Sequence, residues 1–312
     1  MTKTIRIFAA LVMAFMVLGC SSFKQGTYDF MMSAERSRVG LKHSSVSIDG
    51  QTLSYLERPG DGEVIVLVHG FGANKDNWTR FIKYIPRDYR VLAFDMPGHG
   101  DNEKLPDRNY TIDYMASSLD QAMNKLGISR FHLAGNSMGG WISIFYAARN
   151  PGKVMTLCLL DNAGLQNVSP EPSDLALAIL KGKSPLTPTT QEEYDELMEY
   201  AFHNKPFIPW PITSVLADNA IENSEFNKKM WKEFTTQSTD IYPMLADLNL
   251  PVLVIWGDRD RILHVSTTEL LRKSLRDKEI IIMKDCGHLP MLERPHETAG
   301  YYVAFLGRHK GS

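Results

Sequence analysis

The sequence predicts an α/β fold: a mostly parallel central sheet, helices on both faces, and a helical insertion over the edge where the strands end. Three observations carry this expectation. Short continuous apolar runs recur at 64–68, 91–94, 131–134, 154–160, 252–256 and 280–283, as strands covered on both faces require. Segments of helical periodicity alternate with them, and such alternation builds a parallel sheet with sites at the carboxyl ends of its strands. Between Gly164 and about Leu248 the alternation breaks into proline-punctuated amphipathic pieces, such as 175–180 and 192–202.

Each element has a local reason. Residues 46–48 and 53–56 alternate in polarity around Asp49-Gly50, a dipeptide suited to a tight hairpin, so the fold is expected to begin antiparallel. The run at 64–68 ends in His69-Gly70-Phe71-Gly72, and that at 91–94 ends in Asp95-Met96-Pro97-Gly98-His99-Gly100. From Thr111, the residues Ile112, Met115, Leu119, Met123 and Leu126 recur at helical spacing, with Gly127 as a C-terminal cap. Next come the strand at 131–134, the turn Gly135-Asn136-Ser137-Met138-Gly139 and an apolar helix stopped at Asn150-Pro151-Gly152. Small residues two before and two after Ser137 let the strand-to-helix turn close sharply and push the hydroxyl outward.

With 312 residues, 44% hydrophobic and 22% charged, the chain has an ordinary globular composition, sufficient for one sizeable domain plus an insertion. The formal charge of -2, from 34 basic and 36 acidic residues, leaves no cationic excess for nucleic acid. No obligate protein partner is evident.

The N-terminus carries its own signal. Lys3 and Arg6 precede an uncharged apolar run from 7 to 18, followed by Gly19-Cys20-Ser21-Ser22. The run is shorter than the roughly 20 residues that span a bilayer but suits an export signal. Val17-Leu18-Gly19-Cys20 resembles the bacterial lipobox, whose cysteine is lipid-modified and becomes the first mature residue. A plain secretory signal or an uncleaved anchor is the alternative. Several acyl chains on Cys20 would hold the protein to a membrane stably. Ser21, rather than aspartate, after the cysteine is similar to lipoproteins sent to the outer membrane of the bacterial envelope. The expected organisation is a signal peptide at 1–19, a tether and lead-in at 20–43, a core at 44–164 and 249–312, and a helical cap at 165–248. Cys158 in one strand and Cys286 past another, with a third strand between, are too far apart to bridge, so both thiols are expected free.

A serine hydroxyl needs a base within hydrogen-bond reach, and that base needs an orienting acid. His288, in Cys286-Gly287-His288-Leu289-Pro290, follows the last apolar run; Asp258 and Asp260, in Trp256-Gly257-Asp258-Arg259-Asp260, follow the one before. The order serine, acid, histidine is that of a strand-turn-helix nucleophile architecture. The backbone N–H groups of Phe71 and Met138 are the candidate oxyanion donors. His69 is expected to shape its loop by hydrogen bonding. His99, His132, His203 and His264 read as loop or surface residues, and His296 and His309 as part of the C-terminal helix or tail. No HExxH or paired ligand spacing suggests a metal, and no cofactor is expected.

Together these residues resemble the α/β-hydrolase superfamily over roughly 46–308. The match includes His69-Gly70-Phe71-Gly72 with Asn77-Trp78, Asp95-Met96-Pro97-Gly98-His99-Gly100, Gly135-Asn136-Ser137-Met138-Gly139-Gly140, Trp256-Gly257-Asp258-Arg259-Asp260 and Cys286-Gly287-His288. Within it, Ala163-Gly164-Leu165-Gln166, Pro185-Leu186-Thr187-Pro188 and Met291-Leu292-Glu293-Arg294-Pro295 are similar to the monoacylglycerol-lipase branch and lipid-anchored bacterial lipases. The family's W-G-x-x-D pattern selects Asp260 over Asp258 as the acid. His264 departs from the proline that many members carry there. The resemblance implies an α/β-hydrolase fold and a serine hydrolase of acyl esters or lipids, with Ser137, Asp260 and His288 as the triad. Leu175, Leu177, Ile179, Phe202, Phe207, Ile208 and Trp210 are candidates to hold an acyl chain or to form the cap's own core. Carbon–carbon bond hydrolysis of ring-cleavage products is the alternative on the same triad. Its enzymes usually carry Gly-Pro-Gly where this chain has Phe71-Gly72-Ala73. A non-catalytic lipid-anchored binding module is the alternative of another class.

Overall fold

The computed structural model describes residues 22–236 and 239–310. The export-signal and lipobox residues up to Cys20 lie outside this range. An eight-stranded sheet runs through the middle in the order β1-β2-β4-β3-β5-β6-β7-β8. Its strands are β1 Lys42–Ile48, β2 Gln51–Arg58, β3 Val64–Val68, β4 Arg90–Phe94, β5 Phe131–Asn136, β6 Val154–Leu160, β7 Val252–Gly257 and β8 Lys278–Met283. The pairs β1–β2 and β2–β4 are antiparallel; every later pair is parallel.

The continuous apolar strands divide their side chains between two cores. In β3, Val66 and Val68 face one layer, while Ile65 and Leu67 face the other, as the two-residue period of a strand demands. Helices follow in chain order as α1 at 22–38, α2 Thr79–Ile82, α3 Ile112–Lys125, α4 Met138–Arg149, α5 Asp174–Leu180, α6 Gln191–Ala201, α7 Ile212–Glu222, α8 Ser224–Thr236, α9 Tyr242–Leu245, α10 Thr267–Ser274, α11 Pro290–Glu293 and α12 Pro295–Arg308. Helices α3, α4 and α10 cover the Val66 face, through Met115, Leu119, Trp141, Ile144 and Leu271. Helices α2 and α12 cover the other through Phe81, Tyr302 and Phe305. Thr111 caps α3 by accepting from the N–H of Tyr114, and Ser173 caps α5 in the same way through Ala176.

Between β6 and β7 the chain leaves the sheet and forms α5 to α9. The lead-in, which the sequence presents as polar and mixed, is helical as α1. Its inner face is held by polar contacts more than by apolar ones: Arg36 donates to both carboxylate oxygens of Asp76 at 2.7 and 2.6 Å, Arg80 donates to Glu35 at 3.2 Å, and Lys24 pairs with Asp218 of α7. Met32 adds a buried apolar contact. Cys158 and Cys286 are both buried and free. No helix among the described residues is long and apolar enough to cross a membrane.

Candidate active site

The parallel strands β5, β6, β7 and β8 end side by side, and their last residues bring the candidate groups to one edge. Ser137 follows β5 with φ 55° and ψ -120°, a conformation rarely tolerated by a side chain, and α4 begins at the next residue. The sequence folds this way because its glycines leave no room for anything else. A Cβ at Gly135 would sit 2.2 Å from the carbonyl oxygen of Gly139, and one at Gly139 would sit 2.2 Å from that of Val68. Gly140 packs as closely, where a Cβ would lie 2.4 Å from Asn162 Cβ. The Ser137 N–H donates to Leu160 O at 3.0 Å, and its carbonyl accepts from Ala163 N at 2.9 Å, so the elbow is tied to the end of β6.

His288 follows β8 and is buried. Its Nδ1 lies 2.8 Å from Asp260 Oδ2, while Asp260 Oδ1 accepts from the N–H groups of Ile262 and Leu263 at 2.8 and 2.9 Å. Asp260 is therefore an acceptor fixed by its own loop, and His288 presents its other nitrogen away from it. The loop survives His264 in place of proline: His264 is half-buried and its Nδ1 lies 2.8 Å from Ser266 Oγ. The histidine loop is pinned twice. Asn136 Nδ2 donates to His288 O at 3.1 Å, and the His288 N–H donates to Ala201 O at 2.9 Å, at the end of α6. Glu293 accepts from the N–H groups of His203, Asn204 and Gly287, at 3.1, 2.9 and 3.1 Å, joining the insertion to the same loop. The family-like Met291-Leu292-Glu293 signal marks this glutamate without stating what it does.

Ser137, His288, Phe71 and Met138 all line one cavity of about 1050 Å³. Met138 is the first residue of α4, so its N–H has no acceptor within the helix and points from the positive end of the dipole. The Phe71 ring is part of the wall, edge-on to His99 and to Trp231 at 5.7 and 5.4 Å. From the insertion, Leu175, Ile179, Phe202 and Ile208 also line the cavity, Ile179 at its exposed rim (39%); Leu177, Phe207 and Trp210 lie at the surface away from it, 42%, 84% and 60% exposed. Tyr28, Met32 and Arg36 of α1 complete one wall.

His69 ties its loop, accepting from the Met96 N–H at 3.0 Å through Nε2 and bonding Gly70 O at 2.7 Å through Nδ1. It is neutral, with burial pushing its pKa down to about 4. His99 lies in a loop, as read, but is not at the surface, and His132 is in neither place. Both are buried, His99 beside His69 and Phe71, and His132 in β5 against Thr156 Oγ1 at 2.9 Å. Burial pushes the His99 pKa to about 3 and lowers that of His132. One residue was not singled out in the sequence at all. Asp161, directly after β6, is fully buried beside Asp260 and His288, with the polar side-chain atoms of the three within 4.8 Å of one another.

A strained serine between a parallel strand and a helix, with a buried histidine–carboxylate pair from the next strand ends, defines a hydrolase-type site on this sheet. The chain belongs to the α/β-hydrolase family: residues 63–193 match the family model described as alpha/beta hydrolase fold. It is 32% identical to Lipase 3 of Moraxella sp. (strain TA144) over 308 residues, covering 96% of this chain and 97% of that one. It is also 32% identical to human monoacylglycerol lipase ABHD6 over 262 residues, 81% of this chain and 78% of that one. Among solved structures, a bacterial membrane phospholipase A superposes with a TM-score of 0.91 at 35% identity, covering 98% of this chain and 99% of that one.

Proposed function

We propose that this protein is a serine carboxylester hydrolase of lipid esters, acylglycerols among them, working through an acyl-enzyme on Ser137. The observation that carries this reading is the buried His288–Asp260 pair, 2.8 Å apart, on the cavity that also holds Ser137. In the reaction, His288 takes the proton of the Ser137 hydroxyl as it attacks the ester carbonyl, and returns it to the leaving alcohol. It then activates the water that releases the acid. Asp260 orients His288 and stabilises its charged form. The Phe71 and Met138 N–H groups receive the negative charge that develops on the carbonyl oxygen. Both are backbone donors, so the neighbouring side chains are left to shape the pocket.

The insertion at 165–248 is read as the cap that holds the acyl chain. Leu175, Ile179, Phe202 and Ile208 give the cavity an apolar wall of the kind a chain prefers. Kinship with lipases and a monoacylglycerol lipase supports a lipid substrate. We also read Cys20 as the site of lipid attachment, which would hold the enzyme to the bacterial envelope, at the outer membrane, close to its substrates. Rates on p-nitrophenyl esters of graded chain length, followed by mono- and triacylglycerols, test the substrate class. The expected result is a higher kcat/KM for medium chains than for acetyl, and turnover of monoacylglycerol. A preference for acetyl with no turnover of glycerides would make the protein a general esterase.

A further inference from the structure

We propose that Asp161 is a positioning residue: a buried carboxyl that keeps its proton and donates it in a hydrogen bond to Asp260, holding the acid of the triad in place. The inference rests on the reading of Asp260 as that acid. Asp161 directly follows β6, the strand between the one that delivers Ser137 and the one that delivers Asp260. Its N–H donates to Ile255 O at 3.0 Å, and its Oδ1 accepts from the Gly257 N–H at 2.9 Å. Its backbone is held at φ 44°, outside the ordinary range for a residue with a side chain. Oδ2 is buried and has no donor facing it among the described residues. A carboxylate oxygen of Asp161 lies within 4.8 Å of one of Asp260 and of a His288 ring nitrogen, and with Oδ1 taken by the Gly257 N–H the unpartnered Oδ2 is the one free to bond Asp260.

Two carboxylates this close and this buried cannot both carry charge. The donors decide which one keeps the proton. Asp260 has three, from Ile262 N, Leu263 N and His288, whereas Asp161 has only Gly257 N. The proton therefore stays on Asp161, whose orphaned Oδ2 becomes a donor aimed at Asp260. The surrounding groups agree. Burial first, then the charge of Asp260, push the Asp161 carboxyl well above the usual range, with Glu293 adding to the effect and the Gly257 N–H opposing it. Cys286 also faces Asp161, and its thiol is driven upward by burial, so it contributes no charge. A hydrogen bond from a neutral acid to a carboxylate is among the stronger ones available, and it would fix Asp260 without adding a second negative charge beside His288.

The test compares Asp161→Asn, which keeps a donor of the same shape, with Asp161→Leu, which has none. Thermal melts establish that each variant folds. For Asp161→Asn, kcat/KM on a medium-chain ester is expected within about threefold of wild type, with the acid limb of its pH profile unmoved. Asp161→Leu is expected to lose about tenfold or more and to shift that limb upward, because Asp260 then carries a less dispersed charge. If Asp161 were ionised instead, Asp161→Asn would remove a negative charge near the imidazole and lower the limb by about one pH unit or more, which would overturn the proposal. A second measurement needs neither activity nor Asp161→Leu. Side-chain carboxyl ¹³C spectra of folded wild-type protein at neutral pH should hold a protonated aspartate signal that Asp161→Asn removes. Absence of a protonated aspartate in wild type contradicts the inference. Presence of the signal in a protein that hydrolyses no ester would instead defeat the hydrolase reading and leave the carboxyl pair standing.

Discussion

Single buried imidazoles govern how this site responds to acid. His69 and His99 are fully enclosed and neutral, with pKa values pushed by burial to about 4 and about 3 from an ordinary 6.5. Between those values the unfolded chain binds protons that the folded protein refuses, so stability is complete above about pH 6.5 and falls as the pH drops. Each histidine contributes about 1.4 kcal/mol per pH unit in that window. Urea unfolding between pH 7 and pH 5 should therefore show a falling midpoint, with a shallower fall in His99→Gln. Equal slopes in wild type and variant would contradict the assignment. These histidines also mark a limit of sequence reading. His69 was legible because it opens a glycine loop. The burial of His99 and His132 was not: His132 is faced by Thr156 of β6, Glu63 and Tyr89, neighbours only once the sheet is formed. Asp161 was hidden for the same reason, since a lone aspartate after a strand belongs to no motif. The only available signal was its place between two strands that do carry motifs.

At the scale of elements, the strands were readable because a parallel sheet covered on both faces demands uninterrupted apolar runs, and β3, β4, β6 and β7 supply them. The elbow was readable because glycine is required wherever a Cβ would meet backbone at 2.2 Å, as at Gly135 and Gly139. Helix α1 was not readable. It buries little apolar surface of its own, and its hold on the body comes from Arg36 reaching Asp76, 40 residues away, which no local pattern announces. Through Tyr28 and Met32 it also walls the cavity. Cys20 is close in sequence to Tyr28, so anchoring at Cys20 would set the cavity near the lipid surface. Cys20→Ser is expected to lose incorporation of labelled fatty acid and to leave the membrane fraction, while the released protein keeps its esterase activity. Fatty-acid labelling that persists in Cys20→Ser would refute lipid attachment there.

On the scale of the whole molecule, the fold converts chain order into proximity. Ser137, Asp260 and His288 lie 151 residues apart at the extremes, yet each follows a strand that ends at the same edge. The insertion and α1 close over that edge, and Glu293 bonds the insertion to the histidine loop. The cavity wall is therefore drawn largely from elements outside the sheet, while Ser137, Asp260 and His288 follow strands that end at its edge. That division explains why the candidate site was legible in five short motifs and the cavity wall was not. Of the apolar residues in the insertion, only the fold separates Ile208 in the wall from Phe207 on the surface. The most direct test of the account is covalent labelling of the folded protein with a fluorophosphonate, located by peptide mass spectrometry. The adduct is expected on Ser137, absent in Ser137→Ala and strongly slowed in His288→Ala. A folded wild-type protein that takes up no label, or takes it up at another serine, would contradict the assignment of Ser137 as the nucleophile.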